Sequence, residues 1–362
     1  MSESLDFTGD LSKCCLGAAR LCVGNMVNWR QKPIYKVPSR VMIHLTHNYG
    51  QAMREREKTG GAHDSQRDGR GCLARQIAPL KNTEATTAYR ETRAGDAISK
   101  YREYPVSSPL NDHLMCLWRQ SITGSGDPYA HRVLPDGCVD IVFIDDERPL
   151  VVGPYVECLI ARLPPGATVV GARFHPGRAS GLLGHPASTL LNQSIPLDAL
   201  WNRSACSQLM WPVSNATSAG KITALESALM TRMPQAAPLD PTVTTAVEWL
   251  ARHPESSMEQ LSQSIGMSSR QLRRRFSAAV GYGPKIFQEI LRFQGLLNLA
   301  TGAREQAGLA QLAADAGYAD QAHMTREVHR FSDTRPTNLL GSAQCTVCLS
   351  GLVRTELSPQ RT

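Results

Sequence analysis

Near its C-terminal end the chain carries one pattern twice within a hundred residues: a short amphipathic segment, a glycine, then a helix that opens on a capping residue. In the first copy, SSMEQLSQSIG (256–266), Ser257 with Gln260 three residues later makes a capping-box pattern, Met258, Leu261 and Ile265 form one apolar face, and Gly266 suits a helix C-terminus. Ser268 can then cap a further helix, with Gln271 at its third position. The second copy is GLAQLAADAGY (308–318), with Leu309, Leu312 and Ala316 apolar and Gly317 at the turn, followed by Asp320 as cap of DQAHMTREVHRF (320–331). Helix, short glycine turn, helix is the layout of a helix-turn-helix unit. Upstream, TVTTAVEWLAR (242–252) supplies a leading helix whose Val243, Val247 and Leu250 share a face and which stops before Pro254. Residues 284–301 supply a joining helix of about 27 Å, near the roughly 34 Å between successive major-groove faces of DNA.

Within the helix that follows Ser268, Leu272 and Phe276 lie one turn apart and belong to a core, whereas Arg270, Arg273 and Arg274 occupy the other side. A recognition helix needs this division, because apolar residues anchor it while outward guanidiniums reach guanine edges or grip phosphates. A solvated basic face would look the same in one copy; the repetition favours DNA. In the second copy Met324, Val328 and Phe331 face inward and Gln321, Thr325 and Arg326 face outward. Net charge adds little. The chain is +7, but residues 1–100 hold 16 Lys/Arg against 10 Asp/Glu, whereas 240–340 hold 11 against 10. The case for DNA rests on where individual arginines sit.

Residues 242–340 resemble the AraC/XylS transcriptional regulators, through LSQSIGMSSRQLRRRFSAAVGYGPKIF and LAADAGYADQAHMTREVHRFSDTRP. The resemblance implies base-facing roles for Arg270, Arg273 and Arg274 in the first recognition helix and for Gln321, Thr325 and Arg326 in the second. With Ser269 at the start of the first helix, these form the candidate DNA-binding set. Asp333 stands where the family commonly has glycine, so the turn requires Asp in an unusual backbone angle. Val328 stands where a larger aromatic is usual. The second unit is therefore expected to position the protein more than to read bases.

Upstream, residues 101–201 read as short β-rich runs broken by glycine and proline (MCLWRQSI, HRVLPDGCVDIVFIDD, PLVVGP, ECLIARLPPGATVVGARFHPG), as in a small barrel or sandwich. Pro135-Asp136-Gly137 fits a tight reversal. VLPDGCVDIVF, GARFHPG and IPLDALW resemble the cupin-like effector domains found before such regulators, whose pocket receives a small molecule or contacts a partner. Beyond Pro186, Leu190, Leu191, Ile195, Leu197 and Leu200 suggest helix, as does 221–233; WPVSNATSAG between them reads as loop and MPQAAPLDP (233–241) as a hinge. Before residue 98 no period of 2 or 3.6 is sustained, and REREKTGGAHDSQRDGR (54–70) reads as disordered or linker, with a small module at 14–49 as the structured alternative.

The expected fold class is multidomain: a β-rich, cupin-like barrel followed by an all-α domain with two helix-turn-helix units. Its divisions are a poorly structured extension (1–98), a β-rich effector or partner domain (99–205), a helical linker (206–240), the DNA-binding domain (241–340) and a tail (341–362). Double-stranded promoter DNA is the expected partner, with RNA polymerase, a small-molecule effector and a second copy of the chain as further candidates. No apolar run approaches a membrane span and the N-terminus lacks a signal-peptide pattern, so a cytoplasmic address is expected. Ten scattered cysteines read as mostly reduced thiols, and Cys345-x-x-Cys348 has no second pair to complete a zinc site. No cofactor and no enzymatic activity are expected. A metal-dependent barrel would have to use His131, His175 and His185, which lack H-x-H spacing and read as isolated turn or surface residues. An alkyl-transfer repair protein would need Cys138 as an activated thiol, whereas its strand alternation reads as packing.

Overall fold

The structure, a computed structural model, describes residues 89–94, 97–302 and 308–340. The expectations for 14–49, 54–70, Cys345, Cys348 and the tail lie outside the described residues. The β-rich part comprises β1 (Tyr89–Ala94), β2 (Ala97–Tyr104), β3 (Leu114–Thr123), β4 (Tyr129–Val133), β5 (Asp140–Ile144), β6 (Leu150–Val152), β7 (Leu159–Leu163), β8 (Thr168–Phe174) and β9 (Ser194–Pro196). Seven strands form an antiparallel sheet in the order β1-β2-β3-β8-β5-β6-β9, and β4 pairs with β7 as a separate ribbon. The sheet starts by Tyr89, ahead of the expected boundary at 99, and among the described residues its outer strands β1 and β9 pair only inward.

Strand alternation gives the sheet two apolar faces. Leu117 of β3, Ile141 and Phe143 of β5, and Val170, Ala172 and Phe174 of β8 pack on one side with Leu209, Val213, Leu225 and Leu229. Those last four come from α2 (Arg203–Ser214) and α3 (Lys221–Arg232), which follow the short α1 (Ala179–Leu183). Trp118, Val142, Ile144 and Val169 face the other side, where Tyr129 of β4 and Leu163 of β7 cover them. Central β5, DIVFI, is buried along its whole length, as a strand covered on both faces must be.

Three expectations are corrected here. Residues 190–200 are not helical: 3-10 turns at 187–189 and 197–199 flank β9, whose Ile195 pairs with Val151. Pro196 lacks the N–H group that a helix interior needs, and Asn192 adopts positive φ (54°) with its side chain accepting from Val156 N at 2.9 Å. The stretch read as loop from Trp211 is helical as far as Ser214, where α2 ends. Finally, 206–240 is not a bare linker, since α2 and α3 complete the sheet's core and Ala237 N donates to Gly181 O at 2.9 Å, pinning the segment read as a hinge.

The remaining helices are α4 (Pro241–Arg252), α5 (Met258–Ile265), α6 (Ser269–Val280), α7 (Pro284–Gly302), α8 (Leu309–Asp315), α9 (Gln321–Ser332) and α10 (Pro336–Leu340). Central α7 carries aromatic anchors for both units: Phe287 meets Phe276 of α6 with ring centroids 5.6 Å apart, and Phe293 meets Phe331 of α9 at 5.2 Å. Leu134, Cys138 and Val156 of the β-rich part are buried in this same core. Among the described residues no helix is long and apolar enough to cross a membrane.

Candidate nucleic-acid interface

The helix that the sequence marks as the first candidate recognition helix is α6, and its ends are fixed by local chemistry. Ser257 and Gln260 close a reciprocal capping box at the start of α5 (Gln260 N to Ser257 Oγ 3.2 Å; Ser257 N to Gln260 Oε1 2.8 Å). Gly266 ends α5 in the left-handed region at φ 68°, where a side chain would be strained. Ser268 then caps α6 through the Gln271 amide at 3.4 Å. Leu272, Phe276 and Val280 are buried, and Arg270, Arg273 and Arg274 are exposed on the opposite side. Ser269 is half-buried and shares a 2.8 Å hydrogen bond with Ser262, so its hydroxyl ties α6 to α5 across the turn.

Sequence reasoning passed over Arg275. Its Nε and Nη2 donate to Asp240 Oδ2 and Oδ1 at 2.8 and 2.9 Å, while Asp240 Oδ1 also accepts from Thr242 N at 3.0 Å to cap α4. One carboxylate thus caps one helix and clamps the recognition helix to it. Burial raises the Asp240 carboxyl, but the Arg275 and backbone hydrogen bonds outweigh it and hold the group below its ordinary value. The signal was present in Asp240-Pro241, an N-cap followed by proline at the first helical position.

The second candidate recognition helix is α9, capped by Asp320, which accepts from His323 N at 2.6 Å. Met324, Val328 and Phe331 are fully buried, and Gln321, Thr325 and Arg326 are exposed, with Thr325 Oγ1 donating to Gln321 O at 2.8 Å. Asp333 takes the left-handed position at the end of α9 (φ 53°) that its replacement of glycine demanded. Buried Glu327, 6% exposed, accepts from Arg292 Nη2 of α7 at 2.6 Å and Nε at 3.2 Å. Its partner lies 35 residues away, so no local pattern could have paired them.

The β-rich part grips both units. At the turn Pro135-Asp136-Gly137, Asp136 accepts from Cys138 N at 2.9 Å and Gly137 has φ 81°. A Cβ there would come within 2.9 Å of Phe287 Cε2, and Gln294 Nε2 donates to Pro135 O at 2.6 Å. Arg132 of β4 donates to Ser332 O at the end of α9, and also to Cys158 Sγ at 3.4 Å. Arg178 pairs with Glu248 of α4 at 3.3 Å.

Between the sheet and the β4–β7 ribbon lies a cavity of about 90 Å³, with Trp118, Gln120, His131, Asp140 and Arg173 among its lining residues. His175 and His185 lie elsewhere, and both are half-buried rather than on the surface. Among the described residues no cluster of three His, Cys, Asp or Glu is arranged to hold a metal. Cys138 is buried, as its alternation suggested.

Residues 102–196 match the model of a domain of unknown function (DUF6597), and residues 261–341 match that of a helix-turn-helix domain. No curated protein matches the chain. Similar solved structures include ToxT from Vibrio cholerae O395 (10% identity, covering 62% of this chain and 95% of that one, TM-score 0.34) and the transcriptional regulator CdpR from Pseudomonas aeruginosa (12%, 71% and 71%, TM-score 0.22). The AraC-like transcriptional activator CuxR is a third (12%, 57% and 83%, TM-score 0.18). Residues 261–341 thus match a helix-turn-helix domain, and the match to a domain of unknown function lies ahead of them in the β-rich part.

Proposed function

We propose that the chain regulates transcription by placing α6 and α9 in successive major grooves on one face of promoter DNA, and that the β-rich domain modulates this placement. The observation that carries the reading is the exposed row of Arg270, Arg273 and Arg274 on a helix whose opposite side is buried and whose ends are capped. Arginine forks match guanine O6/N7 and phosphate oxygens, and phosphate contacts make affinity fall with salt. Ser269 holds the turn, Arg270, Arg273 and Arg274 read or grip DNA, and Gln321, Thr325 and Arg326 engage a second groove less specifically. At 19 residues, α7 is about 28 Å long and packs against both helices.

Modulation is supported by where the cavity sits. Arg132 belongs to the strand that walls the cavity, and its side chain bonds the end of α9. A small molecule that moved β4 would therefore act on the second unit directly.

The test is selection of bound sequences from a random DNA pool by the full chain, followed by Arg274→Ala on the selected site. Loss of about 1–3 kcal/mol of binding with an unchanged melting temperature is expected. Unchanged binding, or loss only through unfolding, refutes the recognition-helix assignment.

A further inference from the structure

The cavity beneath the β4–β7 ribbon has a polar floor on which the Trp118 indole, the Gln120 amide and much of the Arg173 guanidinium are engaged by acceptors of the protein. Gly171 of β8 lies opposite Trp118 of β3 in the register, and a Cβ on it would fall 2.4 Å from the indole, so glycine is what lets the ring lie flat on the sheet. Lying there, the indole Nε1 donates to Asp140 Oδ2 at 3.0 Å. Arg173 donates through Nε and Nη2 to Asp140 at 3.2 and 3.0 Å and through Nη1 to Tyr101 Oη at 3.3 Å. Glu103 and Asp136 each lie 3.6 Å from its guanidinium. Three carboxylates surround one buried arginine.

The neighbouring side chains continue the pattern. Gln120 Nε2 donates to Ser99 Oγ at 2.8 Å and lies 3.2 Å from His131 Nδ1, which spends both amide hydrogens and makes Nδ1 the acceptor. His131 is accordingly neutral, its pKa pushed down to about 4 by burial and by Arg173. Arg132, the other arginine of the lining, is one residue along β4 from His131, and its guanidinium is turned to Cys158 Sγ and Ser332 O. The acceptors left on the wall are Gln120 Oε1 and Asp140 Oδ1, the latter holding one bond where a carboxylate oxygen takes two. The rest of the wall is apolar, including Val142, Ile144, Leu159, Leu163 and Val169.

We infer that this cavity receives a compact, largely apolar molecule that donates hydrogen bonds and bears no negative charge, such as an alcohol or an amine. The inference rests on the reading of the β-rich domain as modulatory and names the ligand class of that site. A carboxylate would be the fourth acid beside Glu103, Asp136 and Asp140, which already surround Arg173, in apolar surroundings where an unpaired charge is costly. A hydroxyl or amine would donate to Asp140 or Gln120 while its apolar part replaces empty volume.

Three small probes of one size decide it: 1-propanol, propylamine and propionate, titrated onto the full chain by ligand-observed NMR. Propanol, propylamine or both should bind more tightly than propionate by about tenfold or more. Ala161→Leu, which fills the cavity wall, should abolish that binding while the melting transition survives. Propionate binding as well as or better than the other two overturns the ligand class and leaves the modulatory pocket standing. Binding that survives in a folded Ala161→Leu variant, or no binding by any probe, overturns both; the DNA-binding reading is judged separately by the selection experiment.

Discussion

At the scale of single residues, Gly171 and Trp118 form the most constrained pair of the β-rich domain. Gly171→Ala puts a methyl 2.4 Å from the indole, so the ring must shift and its hydrogen bond to Asp140 must lengthen. A loss of about 1–3 kcal/mol is expected, measured by denaturant unfolding, together with a changed tryptophan emission. Stability equal to the parent's would mean that the ring has room to slide. Neither residue advertises the pairing in the sequence, because Trp118 and Gly171 meet only through the register of two strands 53 positions apart.

At the scale of elements, ion pairs tie α6 and α9 to other helices, and α9 has a second, more exposed one to α7 in Arg330–Glu289 at 2.6 Å. Arg275 and Asp240 join α6 to α4 at the surface, with side chains 40% and 28% exposed, so solvent and salt screen much of their attraction. Arg292 and Glu327 join α7 to α9 and are far more enclosed, at 20% and 6%. Arg292→Leu would strand a buried carboxylate, and an overall cost of about 3 kcal/mol is expected in thermal or denaturant unfolding. Arg292→Leu with Glu327→Leu should recover a good part of that stability, since two apolar groups replace the pair. A double variant no more stable than the single one would show that the stranded charge is not the cause. Burial and the Glu327 carboxylate also push the Tyr318 hydroxyl pKa up.

At the scale of the whole molecule, the β-rich and helical parts share a core, with Leu134, Cys138 and Val156 buried among residues of α4, α6 and α7. Two half-buried histidines lie in the β-rich part of this assembly, His131 in β4 and His175 beside Gly177, whose Cα lies against Val243 and Val280. Both have pKa values pushed down from 6.5 to about 4, chiefly by burial. As pH falls from about 6.5 to about 4 the unfolded chain binds these protons and the folded chain does not, so these two groups lower stability across that window; buried His113, also pushed down, adds to the decline, and Asp140, raised to about 6 chiefly by burial, works against it. Melting temperature should decline across that window, and His131→Gln with His175→Gln should flatten the decline, glutamine keeping an acceptor for Gln120. A decline of undiminished slope in the double variant would place the titrating groups elsewhere.

The sequence by itself determined what is local and periodic. Helix caps at Ser257, Ser268 and Asp320, the glycine turn at 266, the buried faces of α6 and α9, the left-handed Asp333 and the turn at 135–137 all follow from spacing and backbone chemistry within a few residues. The exposed arginines could be placed for the same reason, since a helix sorts its faces by period alone. Tertiary structure decided everything that depends on partners distant in the chain. It turned part of the helical-looking run at 190–200 into the short strand β9, because β6 offered hydrogen bonds and Pro196 denied one to a helix. It drew α2 and α3 into the sheet's core, replaced the expected hinge with a shared core, and gathered Trp118, Asp140 and Arg173 onto one face above a cavity. Hydrogen-bond register and the packing of apolar faces are set by elements tens of residues apart, and no window of sequence contains both members of such a pair.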